Sequence, residues 1–312
     1  MNPKAAPRGP ELLVLRALKL GDLLVAVPAI HGLRRGYPDH QLVLAIPGWL
    51  EPIAALVPGV DALLPTPGLN NPLPLEPGRI DIAVNMHGRG PESDGIISAL
   101  QARMTIMHAA PGPRWCDGIL ERDRWVRLVA AYGVSADANE VHIAVPSLRP
   151  RIAAATVVHV GAFYGSRRWP AERFATVAKT LSRTGHDVVL TGSADERGRA
   201  SDVADKAGLP ESSILAGELA LDEFAAVIAA ARLVITSDTG AAHLASAYSV
   251  PSVVLFGPAP PEEWGPPAAG PHIVLTDSSK RRGDAFAAEP DPALLAVSVD
   301  DVLAAVSRLD TQ

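Results

Sequence analysis

Along its 312 residues the chain alternates short apolar, β-branched runs with stretches of helical periodicity, and this alternation most restricts what it can fold into. Parallel strands are joined by crossover helices that cover both faces of the sheet, so such strands read as continuous apolar runs. In the first half Glu11–Arg16, Leu42–Ile46, Ile80–Asn85 and Met104–Met107 read as strands, with Asp22–Arg35 as a helix that Pro28 should bend. In the second half the expected strands are Thr156–Gly161, Asp187–Thr191, Ser213–Leu215, Leu233–Thr236, Ser252–Phe256 and His272–Leu275. Helices are expected at Glu172–Thr184 and Leu221–Ala231, with Val299–Leu309 closing the chain and free to pack back on the first half. The length exceeds what one core usually organises. Two α/β parallel-sheet domains, 1–148 and 149–312, are therefore expected, joined near the proline- and arginine-containing Pro146–Arg151. Pro65–Gly78 and Gly257–Pro271 read as long loops of the kind that often carry function.

Charge and cysteine content exclude several classes. A formal net charge of −6 without a polybasic run argues against an electrostatic grip on nucleic acid or anionic lipid, so an anionic ligand must be bound locally. The single cysteine, Cys116, rules out an intrachain disulfide and a cysteine-rich zinc site and fits the cytoplasm. Apolar runs around Leu12–Leu18 and Phe224–Ile235 are broken by arginine and too short to span a bilayer, which leaves peripheral membrane contact open. The opening MNPKAAPRGP lacks a signal-peptide core and reads as a flexible leader. A monomer is expected.

Three stretches carry chemistry. In LVLRALKLGDLLVAVPAI, residues 13–30, a strand leads through Gly21 to Asp22 at a helix start, the place where α/β proteins bind ligands. Two readings of Asp22 stand side by side: a helix cap, or a general base. In HVGAFYGSRRWPAERF, residues 159–174, glycines, Ser166, Arg167 and Arg168 follow a strand. Small residues let backbone N–H groups approach phosphate and arginine offers a planar fork, although two adjacent arginines also suit a solvated loop tip. In ARLVITSDTGAAHLASAYSVPSVVLFGPAPPEEWGPP, residues 231–267, a strand delivers Asp238, Thr239 and Gly240 to a helix start whose free N–H groups would face a diphosphate, with His243 in the first turn. Read singly, Asp238 suits a cap and His243 a core histidine. Neither GxGxxG nor GxxxxGK[ST] occurs, which weakens a dehydrogenase or P-loop reading.

Together, Leu20–Asp22, Arg167–Pro170, Asp238–His243 and Phe256–Pro258 resemble the motifs of glycosyltransferase family nine, the ADP-heptose:lipopolysaccharide heptosyltransferases, in order and spacing over nearly the whole chain. The resemblance implies a GT-B fold: two Rossmann-like domains facing a cleft, with the acceptor on the first and the nucleotide-sugar on the second. It implies an inverting, metal-independent transfer of a heptose or related sugar from an ADP-sugar to an acceptor hydroxyl, with no bound cofactor. By matching positions Asp22 is the base and Arg167 neutralises the leaving diphosphate. Thr239 and Gly240 hold phosphate, Asp238 and His243 meet the donor sugar, Glu196 the ribose and Leu219 the nucleobase. Ser166 and Arg168 join the donor side, and Lys19, His87 and Arg89 the acceptor side. Two positions depart from the pattern: Arg167 stands where the family has lysine, and Lys19 where a small hydroxyl residue is usual. Without a DxD or clustered ligands, the leaving group relies on Arg167 and the helix dipole.

The acceptor is the less defined partner. Between Gln41 and Ala110 stand three arginines (Arg79, Arg89, Arg103) and no lysine, against six acids (Glu51, Asp61, Glu76, Asp81, Glu92, Asp94). A phosphorylated lipopolysaccharide core would want a basic surface, so a small natural-product sugar or aminocyclitol competes with it as acceptor. The Ala- and Pro-rich, Lys-poor composition fits a high-GC bacterial genome. Alternatives from other classes are a non-catalytic sugar-nucleotide binding protein and a sugar-nucleotide epimerase or oxidoreductase.

Overall fold

The computed structural model describes residues 9–66, 68–109 and 112–311; most of the expected leader, residues 1–8, lies outside them. The chain divides into two units, Met1–Ala144 and Val145–Gln312, each built on a five-stranded parallel sheet with helices.

In the first unit β1 (Glu11–Leu15), β2 (Gln41–Ile46), β3 (Ala62–Pro65), β4 (Ile82–Asn85) and β5 (Met104–Ile106) lie in the order β3-β2-β1-β4-β5. Helices α1 (Leu20–Gly36), α2 (Glu51–Ala54), α3 (Pro91–Ala99) and α4 (Glu121–Ala130) accompany them. β1 is central and every one of its residues is buried, as a strand covered on both faces requires. α1 buries everything from Leu23 to Leu33 and packs along α4. The chain runs outward from β1 through β2 to β3 and then returns to the other side of β1 with β4. The β1–β4 junction is thus the switch point, where loops diverge and leave room for a ligand at the carboxyl edge.

The second unit repeats the plan with β6 (Thr156–His159), β7 (Val188–Thr191), β8 (Leu233–Ser237), β9 (Ser252–Leu255) and β10 (His272–Leu275), ordered β10-β9-β8-β6-β7. Its helices are α5 (Ala171–Arg183), α6 (Arg197–Ala207), α7 (Leu221–Ala229), α8 (Gly240–Ala247), α9 (Pro261–Trp264), α10 (Pro292–Leu295) and α11 (Val299–Asp310). β8 is central, and the switch point lies between β6 and β8, because the chain passes from β6 out to β7 and returns to the other side of β6 with β8. Trp169 is fully buried, donates its indole N–H to the Val297 carbonyl at 3.1 Å and meets Phe174 edge-on, so the Trp-Pro segment anchors the start of α5. α11 begins at Ser298, whose hydroxyl and backbone N–H exchange hydrogen bonds with Asp301, and it packs on α5, β9 and β10.

Two local expectations change. Ser213–Leu215 is not a strand: Glu211–Ser213 form one 3-10 turn, and Ile214 makes a single bridge to Leu190. Pro210 and Gly217 bound a run too short to extend the ladder beyond β7. Conversely β3, ALLP, does pair with β2 in register Val43↔Ala62; its four residues end in a proline, which an edge strand tolerates at its terminus. Among the described residues no helix is long and apolar enough to cross a membrane.

Candidate active site

At the carboxyl edge of the first sheet, Arg16 immediately follows β1 and is 1% exposed. A buried guanidinium must find partners for its donors, and this one finds them on three segments. Its Nε donates to the Asp22 carbonyl at 2.8 Å and its Nη1 to the Met86 carbonyl. Its Nη2 lies 3.5 Å from Asp22 Oδ1 and 3.8 Å from Glu121 Oε1. The guanidinium carbon sits 4.6 Å from the Trp125 ring centroid. Burial pushes the Arg16 pKa down, and Asp22 and Glu121 oppose that push. Asp22 is in the first turn of α1; its Oδ2 accepts from the Lys19 backbone N–H at 3.1 Å, so it caps the helix with one oxygen. Its side chain remains 23% exposed.

His87 follows β4, next to β1 in the sheet. Its N–H donates to Asn85 Oδ1 at 3.0 Å, and its ring Nδ1 is buried without a hydrogen-bond partner. Burial first and the Arg16 charge second hold its pKa below the ordinary histidine value. Arg89 is exposed, with its guanidinium 5.5 Å from the Trp115 ring. Trp115 also carries Arg124 at 3.9 Å and meets Trp125 edge-on at 6.1 Å, while Arg124 pairs with Glu121 at 2.7 Å. The expected acceptor-side residues Lys19, His87 and Arg89 thus share one sheet edge with Asp22.

Charge on that edge differs from the count over residues 41–110. Arg79 pairs with Glu11 at the start of β1, and Arg103 and His40 pair with Asp81 just before β4. These groups occupy the amino edge, away from the ligand edge. Arg16, Arg89 and Arg124 lie on the carboxyl edge, two of them outside the counted window. Arg16 and Arg124 are buried and paired with Asp22 and Glu121, and Glu92 and Asp94 open α3 on the same edge, so of these three arginines only Arg89 adds an exposed cation there.

In the second unit the loops after β6 and β8 meet at the switch point. Asp238, 3% exposed, lies 3.0 Å from Arg167 Nη1 through Oδ2, and the same nitrogen is 3.3 Å from the Asp238 carbonyl. The pair leaves Asp238 Oδ2 and Arg167 Nε buried without aligned hydrogen bonds. His243 Nε2 is 4.0 Å from Asp238 Oδ1. Thr239 caps α8: its Oγ1 accepts from the Ala241 N–H at 3.3 Å and contacts Thr236 Oγ1 at 3.0 Å. Gly240, Ala241 and Ala242 open the helix, so its amino end carries no bulky side chain. Asp238, Thr239, Gly240, His243 and Arg167 are brought together as expected from the sequence.

The other donor-side candidates stand apart from that group. Arg168 is exposed and donates to the Ala162 carbonyl at 2.9 Å. Ser166 is fully buried; its hydroxyl donates to the Ala285 carbonyl at 2.8 Å and its N–H to the Ala287 carbonyl at 2.9 Å. It binds the Arg167 loop to segment 285–291, and at Gly165 a Cβ would fall 1.6 Å from the Ala288 carbonyl oxygen. Glu196 accepts from the Ser193 N–H at 2.8 Å and lies against Gly161, where a Cβ would sit 2.0 Å from its Oε2. Leu219 is half-buried ahead of α7.

Sequence reasoning missed Arg16, Glu121, Arg124, Trp115, Trp125 and His159. Arg16 carried a usable signal, because an arginine directly after the apolar LLVL of a central strand is drawn into the interior with it. His159 ends β6 with its Nδ1 3.0 Å from Thr191 Oγ1. Burial pushes its pKa down to about 4 against the opposing charge of Glu196. Among the described residues no group of three or more His, Cys, Asp or Glu side chains is placed to hold a metal ion.

Comparison with solved structures gives the class. A family 9 glycosyltransferase from Veillonella parvula superposes with a TM-score of 0.76 over 98% of each chain at 21% identity. Escherichia coli heptosyltransferase WaaC, solved with ADP, superposes with a TM-score of 0.71 over 96% of this chain and 99% of that one at 16% identity. The fold is that of the GT-B glycosyltransferases. In sequence, lipopolysaccharide heptosyltransferase 2 of E. coli K12 is 23% identical over 88% of this chain and 91% of its own, and the model of glycosyltransferase family 9 (heptosyltransferase) matches residues 132–284. The chain is a heptosyltransferase-like glycosyltransferase.

Proposed function

We propose that the chain transfers a heptose from an ADP-sugar to a hydroxyl of a lipopolysaccharide-core saccharide, with inversion at the anomeric carbon and without a metal ion, acting as a cytoplasmic monomer. The donor binds the second unit and the acceptor the first. The observation that carries this reading is the Arg167–Asp238 pair beside the amino end of α8. It offers a cation and a helix dipole for a diphosphate, with His243 and Asp238 beside them for the sugar. A relative solved with ADP and relatives named for lipopolysaccharide heptose transfer support the same donor and acceptor.

In this reading the acceptor oxygen attacks the anomeric carbon on the face opposite the diphosphate. The new C–O bond forms as the bond to the β-phosphate oxygen breaks, Asp22 takes the hydroxyl proton, and ADP leaves with its added negative charge facing Arg167 and α8. Glu196 and Leu219 take the ribose and base. Incubating the protein with a panel of nucleotide-sugars and heptose-free lipopolysaccharide core, with and without excess EDTA, tests it by mass spectrometry of the products. ADP-heptose should be consumed with equal rates in both arms and give the opposite anomer. Loss of turnover in EDTA would refute the metal-free mechanism, and transfer from a UDP-sugar alone would refute the donor.

A further inference from the structure

A carboxylate at a loop-to-helix junction turns about two side-chain bonds, so a base there works only if something fixes its direction. Asp22 is fixed from two sides. The Lys19 N–H holds Oδ2 at 3.1 Å. Arg16 holds the backbone carbonyl at 2.8 Å and stands 3.5 Å from Oδ1. A tight bidentate bridge would occupy both oxygens; one guanidinium nitrogen at 3.5 Å orients Oδ1 and leaves its lone pairs to an acceptor proton. Arg16 is itself immobilised by the Met86 carbonyl, by Glu121 and by the face of Trp125. Being 1% exposed, it cannot take hold of a saccharide directly. Whatever it does for transfer passes through Asp22 and the loop that begins with Met86 and His87.

We propose that Arg16 is a positioning residue for sugar transfer: it aims the Asp22 carboxylate at the acceptor hydroxyl and ties the loops after β1 and β4 to α4 as one edge. The proposal rests on the reading of Asp22 as the base. The planar fork is the essential feature, because a lysine ammonium is a single point and cannot reach Asp22, Met86 and Glu121 together.

A double-mutant cycle in the full-length protein tests it, using Arg16→Lys, Asp22→Asn and their combination with ADP-heptose and heptose-free lipopolysaccharide core. Arg16→Lys should lower kcat roughly 10- to 100-fold while ADP affinity and the donor KM stay within about two-fold. In the Asp22→Asn background it should cost no further activity, since a residue acting through Asp22 has nothing left to aim. A merely structural role would instead multiply the two defects. Multiplied defects, or Arg16→Lys with wild-type kcat, would overturn the proposal. Wild-type turnover in Asp22→Asn would overturn the reading of the base, and the proposal with it; collapse of Asp22→Asn beside a fully active Arg16→Lys overturns the proposal alone. Melting temperatures accompany each variant. If Arg16→Lys does not fold, Arg16→Gln enters the cycle in its place, and failure of both to fold assigns Arg16 to the core and overturns the proposal.

Discussion

The two switch points use the same pair of residue types in opposite ways. In the first unit the arginine is buried and the carboxylate is in reach of solvent: the side chains of Arg16 and Asp22 are 1% and 23% exposed. In the second unit the carboxylate is buried and the arginine is in reach: Asp238 and Arg167 are 3% and 27% exposed. In the proposed function each buried member acts as counter-ion to the member that meets the ligand. The first edge therefore presents an anion, suited to taking a proton, and the second presents a cation, suited to a departing diphosphate. On that reading two parallel α/β sheets supply opposite chemistry because the polarity of the pair is reversed.

Breaking the exposed member of the first pair should have the largest effect. Asp22→Asn keeps the shape and a capping oxygen but removes a counter-ion of the buried Arg16, so the fold should lose up to about 3 kcal/mol, while turnover should fall roughly 100- to 10,000-fold. ADP affinity, a property of the second unit, should stay within a few-fold by calorimetry. A mutant whose activity falls only in proportion to its folded fraction would make Asp22 a cap and nothing more. His243 would then be the next base to test.

The second pair should break in two separable ways. Arg167→Ala removes the group expected to face the leaving diphosphate, a loss of about 3 kcal/mol in the barrier or on the order of 100-fold in rate. It also leaves Asp238 buried without its cation, which costs stability. Adding Asp238→Asn should recover the melting temperature without recovering the rate, because a neutral amide tolerates burial but brings no cation. Arg167→Lys should keep more activity than Arg167→Ala. Recovery of turnover in the double variant would show that Arg167 serves only to neutralise Asp238.

The comparison also shows how far the sequence could be read. The donor edge was legible because its parts lie in short contiguous motifs: Asp238, Thr239, Gly240 and His243 span six positions after a recognisable strand. Central strands such as ELLVL and LVITS announced themselves by largely apolar, β-branched runs, whereas ALLP ran straight into a proline-rich loop. At the acceptor edge Lys19, Asp22, His87 and Arg89 were legible, but the groups that hold Asp22 were not. Those groups come from three separate segments, and Arg16, Met86 and the α4 residues Glu121 and Trp125 meet only once β4 returns beside β1 and α4 packs on α1. A charge count along the chain missed this too, because residues close in sequence lie on opposite edges of the sheet. Ser166 erred in the other direction: a small hydroxyl residue in a glycine-containing loop suits a phosphate, but its hydrogen bonds are spent joining that loop to Ala285 and Ala287.

The smallest expected effect separates the two edges by pH. Each has a histidine whose pKa burial holds low, but their neighbours differ in sign. His87 faces Arg16, which adds to the downward shift, and Asp22, which opposes it. His159 faces Glu196, which opposes it, yet burial still brings His159 down to about 4. An unfolded histidine titrates near 6.5, so between about pH 6.5 and 4 the unfolded chain takes up a proton that native His159 refuses. Stability is then fully present above pH 6.5 and falls as the pH drops toward 4, by no more than roughly 3 kcal/mol from this residue. The downward-shifted His31, His87, His108 and His186 act in the same direction. Asp81, held well below the ordinary carboxylate range by Arg103 and His40, acts only at lower pH. His159→Gln replaces the ring with an amide that can still meet Thr191 and does not titrate. Urea midpoints at pH 7 and pH 5 should therefore lie closer together in His159→Gln than in the wild type, with the remaining difference due to the other histidines. If the two proteins lose stability in parallel across that interval, the pKa of His159 is the same in the folded and unfolded chain and burial does not hold it down.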